Sequence, residues 1–290
     1  MHEPQGTDET YQHGHHASVV ADHAKRTAEV CAAFFLPLLT PGMRVLDVGC
    51  GPGTITAGLA RRVAPGETIG IDMAPGVIET AMALVNSETT DRLSFEVGNV
   101  YQPRFAADSF DAIFAHQVLQ HLRRPGEALL RMRALLACGG VLGVREVDWG
   151  GTTFYPDNAA MRRFLELYYE LARRNGGEPN AGRHLRRWLR EAGFAETRVS
   201  TSTTCYADPA ATREWGETYA ERTLHSNIGD KALEYGLATP RDLASIAAGW
   251  RAWGKDADAF FCLSHTEVVA WKRQRREGAA DRAGTSDWAG

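Results

Sequence analysis

The segment Arg44-Val45-Leu46-Asp47-Val48-Gly49-Cys50-Gly51-Pro52-Gly53-Thr54 constrains the fold of this chain more than any other. Val45 to Val48 read as a buried strand. Glycines follow at three alternate positions, and an apolar helical pattern begins near Thr54. A strand that enters a glycine-rich turn and then a helix aims backbone N–H groups outward at a helix start, which suits an anionic or polar ligand. Glycine also lets a ligand lie directly against the main chain.

The spacing is G-x-G-x-G, not the G-x-G-x-x-G of dinucleotide folds. The next strand, Thr68-Ile69-Gly70-Ile71, ends in Asp72, 19 residues past Gly53. A carboxylate at that strand end can take both hydroxyls of a ribose. On the residues alone, a nicotinamide nucleotide and a ligand-free tight turn in a doubly wound domain both remain open. Taken together, VLDVGCGPGT and Asp72 resemble motif I and the acidic motif of the class I S-adenosylmethionine (SAM) methyltransferases. The resemblance implies an α/β fold, a doubly wound seven-stranded Rossmann-like sheet. It places Asp47, Gly49, Cys50, Gly51, Gly53 and Thr54 around the methionine part of SAM, Asp72 on the ribose and Met73 near the adenine.

Later segments extend the resemblance. Leu93 to Val97 alternates as a strand should and leads into Gly98-Asn99-Val100. Relatives usually carry Asp where this chain has Asn99. The Asn carbonyl oxygen can still accept from the adenine amino group, and Val100 would offer its backbone N–H to a ring nitrogen. Ser109-Phe110-Asp111-Ala112-Ile113-Phe114-Ala115 resembles the fourth strand, so His116 and Gln117 fall at the crevice edge. His121 is read as a structural loop residue. The fifth strand, Val141 to Val147, brings Glu146 and Asp148 to the same edge. The resemblance covers residues 43–150 strongly and 181–271 weakly, with a last strand ending at Trp271 and antiparallel to strand six.

The flanking segments are less specified. Residues 1–42 are expected to form an N-terminal helical cap with a helix from Ser18 to Leu36. In it Tyr11 and the His13-Gly14-His15-His16 cluster either cover the cofactor as a lid or form a polar linker, and Arg26 would meet the SAM carboxylate. The histidine spacing fits no zinc pattern, so no metal site is assigned. Helical insertions are expected at about 151–180 and 208–258, both rich in aromatics. The tail 272–290 is charged, then small and polar, and is expected to be disordered.

The resemblance implies SN2 displacement at the SAM methyl. Such chemistry needs alignment and dehydration more than a fixed catalytic constellation. Base candidates are His116, ranked first, then Glu146, Asp148, Tyr11 and His225. The ring-rich insertions suggest an apolar or aromatic small-molecule acceptor. The net charge of −4 argues against a nucleic-acid surface, and Arg183, Arg186, Arg187 and Arg190 read as a solvated helix face. An RNA methyltransferase and a SAM-binding protein without transferase activity are the alternative functions. Five scattered cysteines form no disulfide framework. No apolar stretch is long enough to span a membrane, and the first residues lack a signal peptide's apolar region. A cytoplasmic enzyme is expected, and a homo-oligomer is compatible with it.

Overall fold

A computed structural model describes residues 26–88 and 92–273. Tyr11, the histidine cluster, the Ser18 cap and most of the tail therefore lie outside the described residues. Seven strands form one sheet: β1 (Val45–Val48), β2 (Thr68–Asp72), β3 (Leu93–Val97), β4 (Phe110–His116), β5 (Leu136–Tyr155), β6 (Glu196–Tyr206) and β7 (Phe260–Trp271). Their order is β3-β2-β1-β4-β5-β7-β6. β3 through β5 are mutually parallel, while β7 runs antiparallel to both its neighbours. β1 is buried along its whole length, as a central parallel strand covered on both faces must be.

Helices cover the two faces. On one lie α1 (Ala28–Cys31), α2 (Thr54–Val63) and α3 (Pro75–Glu88). There Phe35 stacks on Phe114 with ring centroids 5.4 Å apart. On the other lie α4 (Pro125–Leu135) and α6 (Ala181–Glu191), which close over Leu46, Val48, Leu142 and Val144. Between them in sequence comes α5 (Ala159–Asn175), capped by Asn158, whose side chain accepts from the N–H groups of Ala160 and Met161. α7 (Pro209–His225), α8 (Asn227–Glu234) and α9 (Pro240–Trp253) complete the chain's helices among the described residues.

Three departures from the sequence reading stand out. The helix expected through Leu36 is, in its described part, a single turn. The chain then bends so that Phe35 can pack into the space over Gly143. The fifth strand does not stop near Val147 but runs on to Tyr155. It breaks register between Asp148 and Thr153 and then pairs again with β7. α8 was not anticipated. Its sequence, NIGDKALE, is short, and its N-cap Ser226 follows directly on the end of α7.

The long β5–β7–β6 extension carries α5, α7, α8 and α9 as a second helical layer. Phe164, Tyr168, Trp215, Tyr219, Trp250 and Phe261 fill it. Phe164 meets Trp250 edge-on at 5.5 Å and Tyr219 at 5.3 Å. Such ring contacts add to the area each ring buries. α9 opens with a full capping box between Thr239 and Asp242, a reciprocal pairing that satisfies two otherwise orphaned N–H groups.

Candidate active site

The glycine loop lies where β1 gives way to α2. Gly49 has φ +68°, and a Cβ there would meet Val118 Cγ2 at 2.4 Å, so the loop and the segment after β4 approach more closely than any side chain allows. Gly51 has φ +55°, and a Cβ there would project into open space. That is the cradle a ligand backbone would occupy. The loop is braced from β2: the Gly49 and Cys50 N–H groups donate to Ile71 O, and the Gly51 N–H donates to Asp72 Oδ2 at 3.2 Å. Asp72 Oδ1 accepts from the Ala74 N–H at 3.0 Å. Each oxygen thus keeps a lone pair for a hydroxyl, with the carboxylate already oriented. Thr54 opens α2, whose N-cap Gly53 supplies no side chain to its first N–H groups. That leaves the positive end of the helix for a carboxylate.

The adenine side agrees in outline. Met73 is 42% exposed at the end of β2, an apolar surface without a cover. The Gly98 N–H donates to Asp72 O, so the two strand ends are locked together. Asn99 Oδ1 already accepts from the Tyr101 N–H at 2.9 Å. The side chain is therefore held by its own turn. Val100 is buried beneath it. These residues fit SAM.

Asp47 differs from expectation. Its carboxylate does not open onto the cradle. It lies buried and accepts from the Thr56 hydroxyl at 2.6 Å, tying β1 to α2. Burial pushes its pKa up to about 7, with the Thr56 bond opposing and the Asp72 charge adding. Cys50 is likewise buried, and its thiol is pushed up by burial.

A cavity of about 290 Å³ lies at the end of β4, with Gln117, the residue before Val118, in its lining. His116, Gln117, Arg145, His265, Trp149, Trp215 and Tyr219 are among its lining residues, and Arg26, Val30 and Cys31 of the N-terminal segment close one wall. Gln117 sits at φ +55°, a conformation a non-glycine residue holds at some cost. Its Nε2 is 3.0 Å from His265 Nε2. His116 Nε2 accepts from Arg145 Nη1 at 2.9 Å. Burial, then the charges of Arg26 and Arg145, push His116 well below the ordinary imidazole range. The same causes bring His265 down to about 3. The lone pair that would take a proton on His116 is thus already engaged, and the ring is a neutral hydrogen-bond acceptor. Arg26 is among the residues that line this cavity.

Glu146 and Asp148 are corrected outright. Successive strand residues face opposite sides of a sheet. The cavity lies on the face of Arg145 and Val147, while Glu146 and Asp148 face α6, where Gly182 backs onto Thr266 and Asp148. Glu146 is fully buried and accepts from the N–H groups of Val118 and Leu119 at 2.8 and 2.7 Å, capping the turn Leu119–His121. Burial raises its pKa to about 8 against those bonds. Asp148 holds Arg183 through both oxygens, at 2.8 and 2.6 Å. His225 is exposed beside Glu221 and is not among the lining residues. Arg145 and His265, which the sequence reading passed over, take the places those carboxylates were given. The available signal was a charged residue inside the apolar run Val141 to Val147.

An open α/β sheet with an antiparallel seventh strand, a glycine cradle at β1 and a braced carboxylate at β2 defines a SAM-binding class of protein. Residues 39–193 match a family model described as a methyltransferase domain. An uncharacterized methyltransferase of Schizosaccharomyces pombe is 32% identical over 274 residues, covering 91% of this chain and 97% of that one. A probable methyltransferase of Aspergillus luteorubrus is 30% identical over 285 residues, covering 92% and 99%. Among solved structures, a phosphoethanolamine N-methyltransferase of Haemonchus contortus, in complex with S-adenosylhomocysteine, superposes with a TM-score of 0.53 at 18% identity. That match covers 81% of this chain and 50% of the other. The chain belongs to the class I SAM-dependent methyltransferases.

Proposed function

We propose that the chain methylates a small molecule with an apolar or aromatic body, held in the cavity beside the glycine loop. The single observation that carries this reading is contiguity. Gly49 packs on Val118, and the next residue back, Gln117, lines the cavity. When bound, SAM supplies an electrophilic methyl. The chain's own part is to hold the acceptor in line and keep water out. Trp149, Trp215, Tyr219 and Leu263 offer a ring-rich wall for an apolar body. The helical layer of α5, α7, α8 and α9 and the N-terminal segment act as the lid over it. With His116 engaged by Arg145 and Glu146 turned away, the acceptor is one that needs no strong base from the chain, such as a group already ionised. The test is transfer of labelled methyl from SAM to a panel of phenols, aromatic acids and amines. Label appearing in a small molecule is the expected result, while label accepted only by RNA would overturn the reading.

A further inference from the structure

His116 and Arg145, two of the cavity's lining residues, begin a polar row across four strands. His116, Arg145, Glu267 and Ser200 are register partners on β4, β5, β7 and β6, so their side chains stand next to one another on one face. Arg145 is the hub. Its Nη1 donates to His116, its Nε and Nη2 reach Ser202 Oγ at 3.4 and 3.3 Å, and its Nε lies 3.4 Å from Glu267 Oε1. Ser202 and Ser200 donate in turn to Glu267 at 2.6 and 3.1 Å. A guanidinium has five N–H bonds. Three are taken by these partners, which leaves two on a residue that is 3% exposed and lines the cavity.

The rest of the lining sharpens what those two bonds await. Arg26 and Arg222 also line the cavity, Arg222 with its guanidinium 5.1 Å from the Tyr219 ring centroid. Negative charge is supplied by Glu214 on the lining and by Glu267 behind Arg145. The Arg26 and Arg145 charges are felt at His265, where they add to burial in keeping the ring neutral. Trp149, Trp215 and Leu263 line the same cavity. The cavity is therefore amphipathic: its lining combines a fixed, nearly dehydrated fork of donors with ring surface.

We propose that the acceptor is a carboxylic acid with a ring body, its carboxylate seated on the two remaining N–H bonds of Arg145 and its ring against the Trp149 and Trp215 wall. The inference rests on the reading of this cavity as the acceptor site. Planar carboxylates match the guanidinium fork, and bonds between two charged groups in a dry site are the strong kind.

The experiment is calorimetric titration of the protein, saturated with S-adenosylhomocysteine, with benzoate, cinnamate and indole-3-carboxylate and with their primary amides at neutral pH. At least one acid should bind about tenfold or more tighter than its amide, the worth of a charge-assisted bond. The double substitution Arg145→Gln with Glu267→Gln removes the guanidinium without stranding a buried carboxylate. It should erase that preference while leaving S-adenosylhomocysteine affinity intact. Equal binding of acids and amides, or a preference that survives the double substitution, would overturn the carboxylate inference and leave the cavity as the acceptor site. If neither acids nor amides bind to protein that holds S-adenosylhomocysteine, the inference and the acceptor-site reading fall together.

Discussion

Arg145 Nη1 lies 2.9 Å from His116 Nε2, across a register pair that joins the ends of β4 and β5. A guanidinium has no acceptor, so the imidazole nitrogen must be the acceptor and carries no proton there. The expectation from this contact is that His116 orients Arg145 and is not the base. His116→Gln keeps a carbonyl oxygen in place of that nitrogen and should retain most turnover. His116→Ala should raise KM for the acceptor far more than it lowers kcat. Loss of activity in both variants, with a break in the pH profile near about 6.5 that vanishes in both, would restore the base role.

Glu146 makes stability depend on pH in a defined direction. Its folded pKa, about 8, stands above the ordinary 4.5. Between those values the folded state holds a proton that the unfolded chain has released. Stability from this group is therefore complete below about pH 4.5 and is lost as pH rises through about 8. Glu146→Gln mimics the protonated side chain. Denaturant midpoints measured from pH 5 to about 9 should fall less steeply in the variant, by about 1–3 kcal/mol across the range. Parallel curves would place the carboxylate outside the turn it caps.

Two glycines of one loop should respond differently. Both need positive φ, so each Ala substitution carries about 1–2 kcal/mol of backbone cost. Gly49→Ala also drives a methyl into Val118, whereas Gly51→Ala finds open space. Gly51→Ala should therefore melt only slightly below the parent yet bind S-adenosylhomocysteine at least several-fold more weakly, and Gly49→Ala should be the less stable of the two. Unimpaired binding by Gly51→Ala would show that nothing lies in that space.

Asp72 braces the loop through the Gly51 and Ala74 N–H groups, and we propose it as the ribose ligand. Asp72→Ala strands the Gly51 and Ala74 N–H groups as well as two hydroxyls, so S-adenosylhomocysteine affinity should drop by about 1–3 kcal/mol or more. Asp72→Asn, which keeps one acceptor oxygen, should recover part of it. Calorimetry on the two variants reads the difference.

Trp250 is fully buried at the centre of the helical layer, with ring centroids of Tyr219, Phe164 and Phe261 between 4.8 and 5.9 Å away. Trp250→Ala should cost about 3–5 kcal/mol in unfolding free energy. Trp250→Phe should lose less. A Trp250→Ala protein as stable as the parent would mean that the layer packs independently of this ring.

The loop, the two strands that hold it and the carboxylate that braces it are legible in the sequence because they are nearly contiguous. Val45 to Thr54 lies on one strand, turn and helix start, and Asp72 ends the next strand. Backbone geometry over so short a span follows from the residues present: glycines where φ must be positive, apolar residues where both faces are covered. The acceptor side was legible only as a place. The run Val144-Arg145-Glu146-Val147-Asp148 was rightly seen to reach the crevice, but the choice of Glu146 and Asp148 over Arg145 was wrong by one residue. Alternation assigns residues to two faces without naming which face holds the cavity. That depends on α6 covering one side while α7 and the N-terminal segment leave a gap on the other.

By itself, then, the sequence determined the glycine loop and the sheet that presents it, since those rest on local backbone constraints. Only the tertiary structure decided the rest. Pairing β5 with β4 and β7 set His116, Arg145 and Glu267 in one row, residues 29 and 122 positions apart along the chain. The antiparallel extension beyond Val147 raised a ring-lined wall against that row. A buried arginine shared among three strands is a product of register, and register is a property of the assembled sheet.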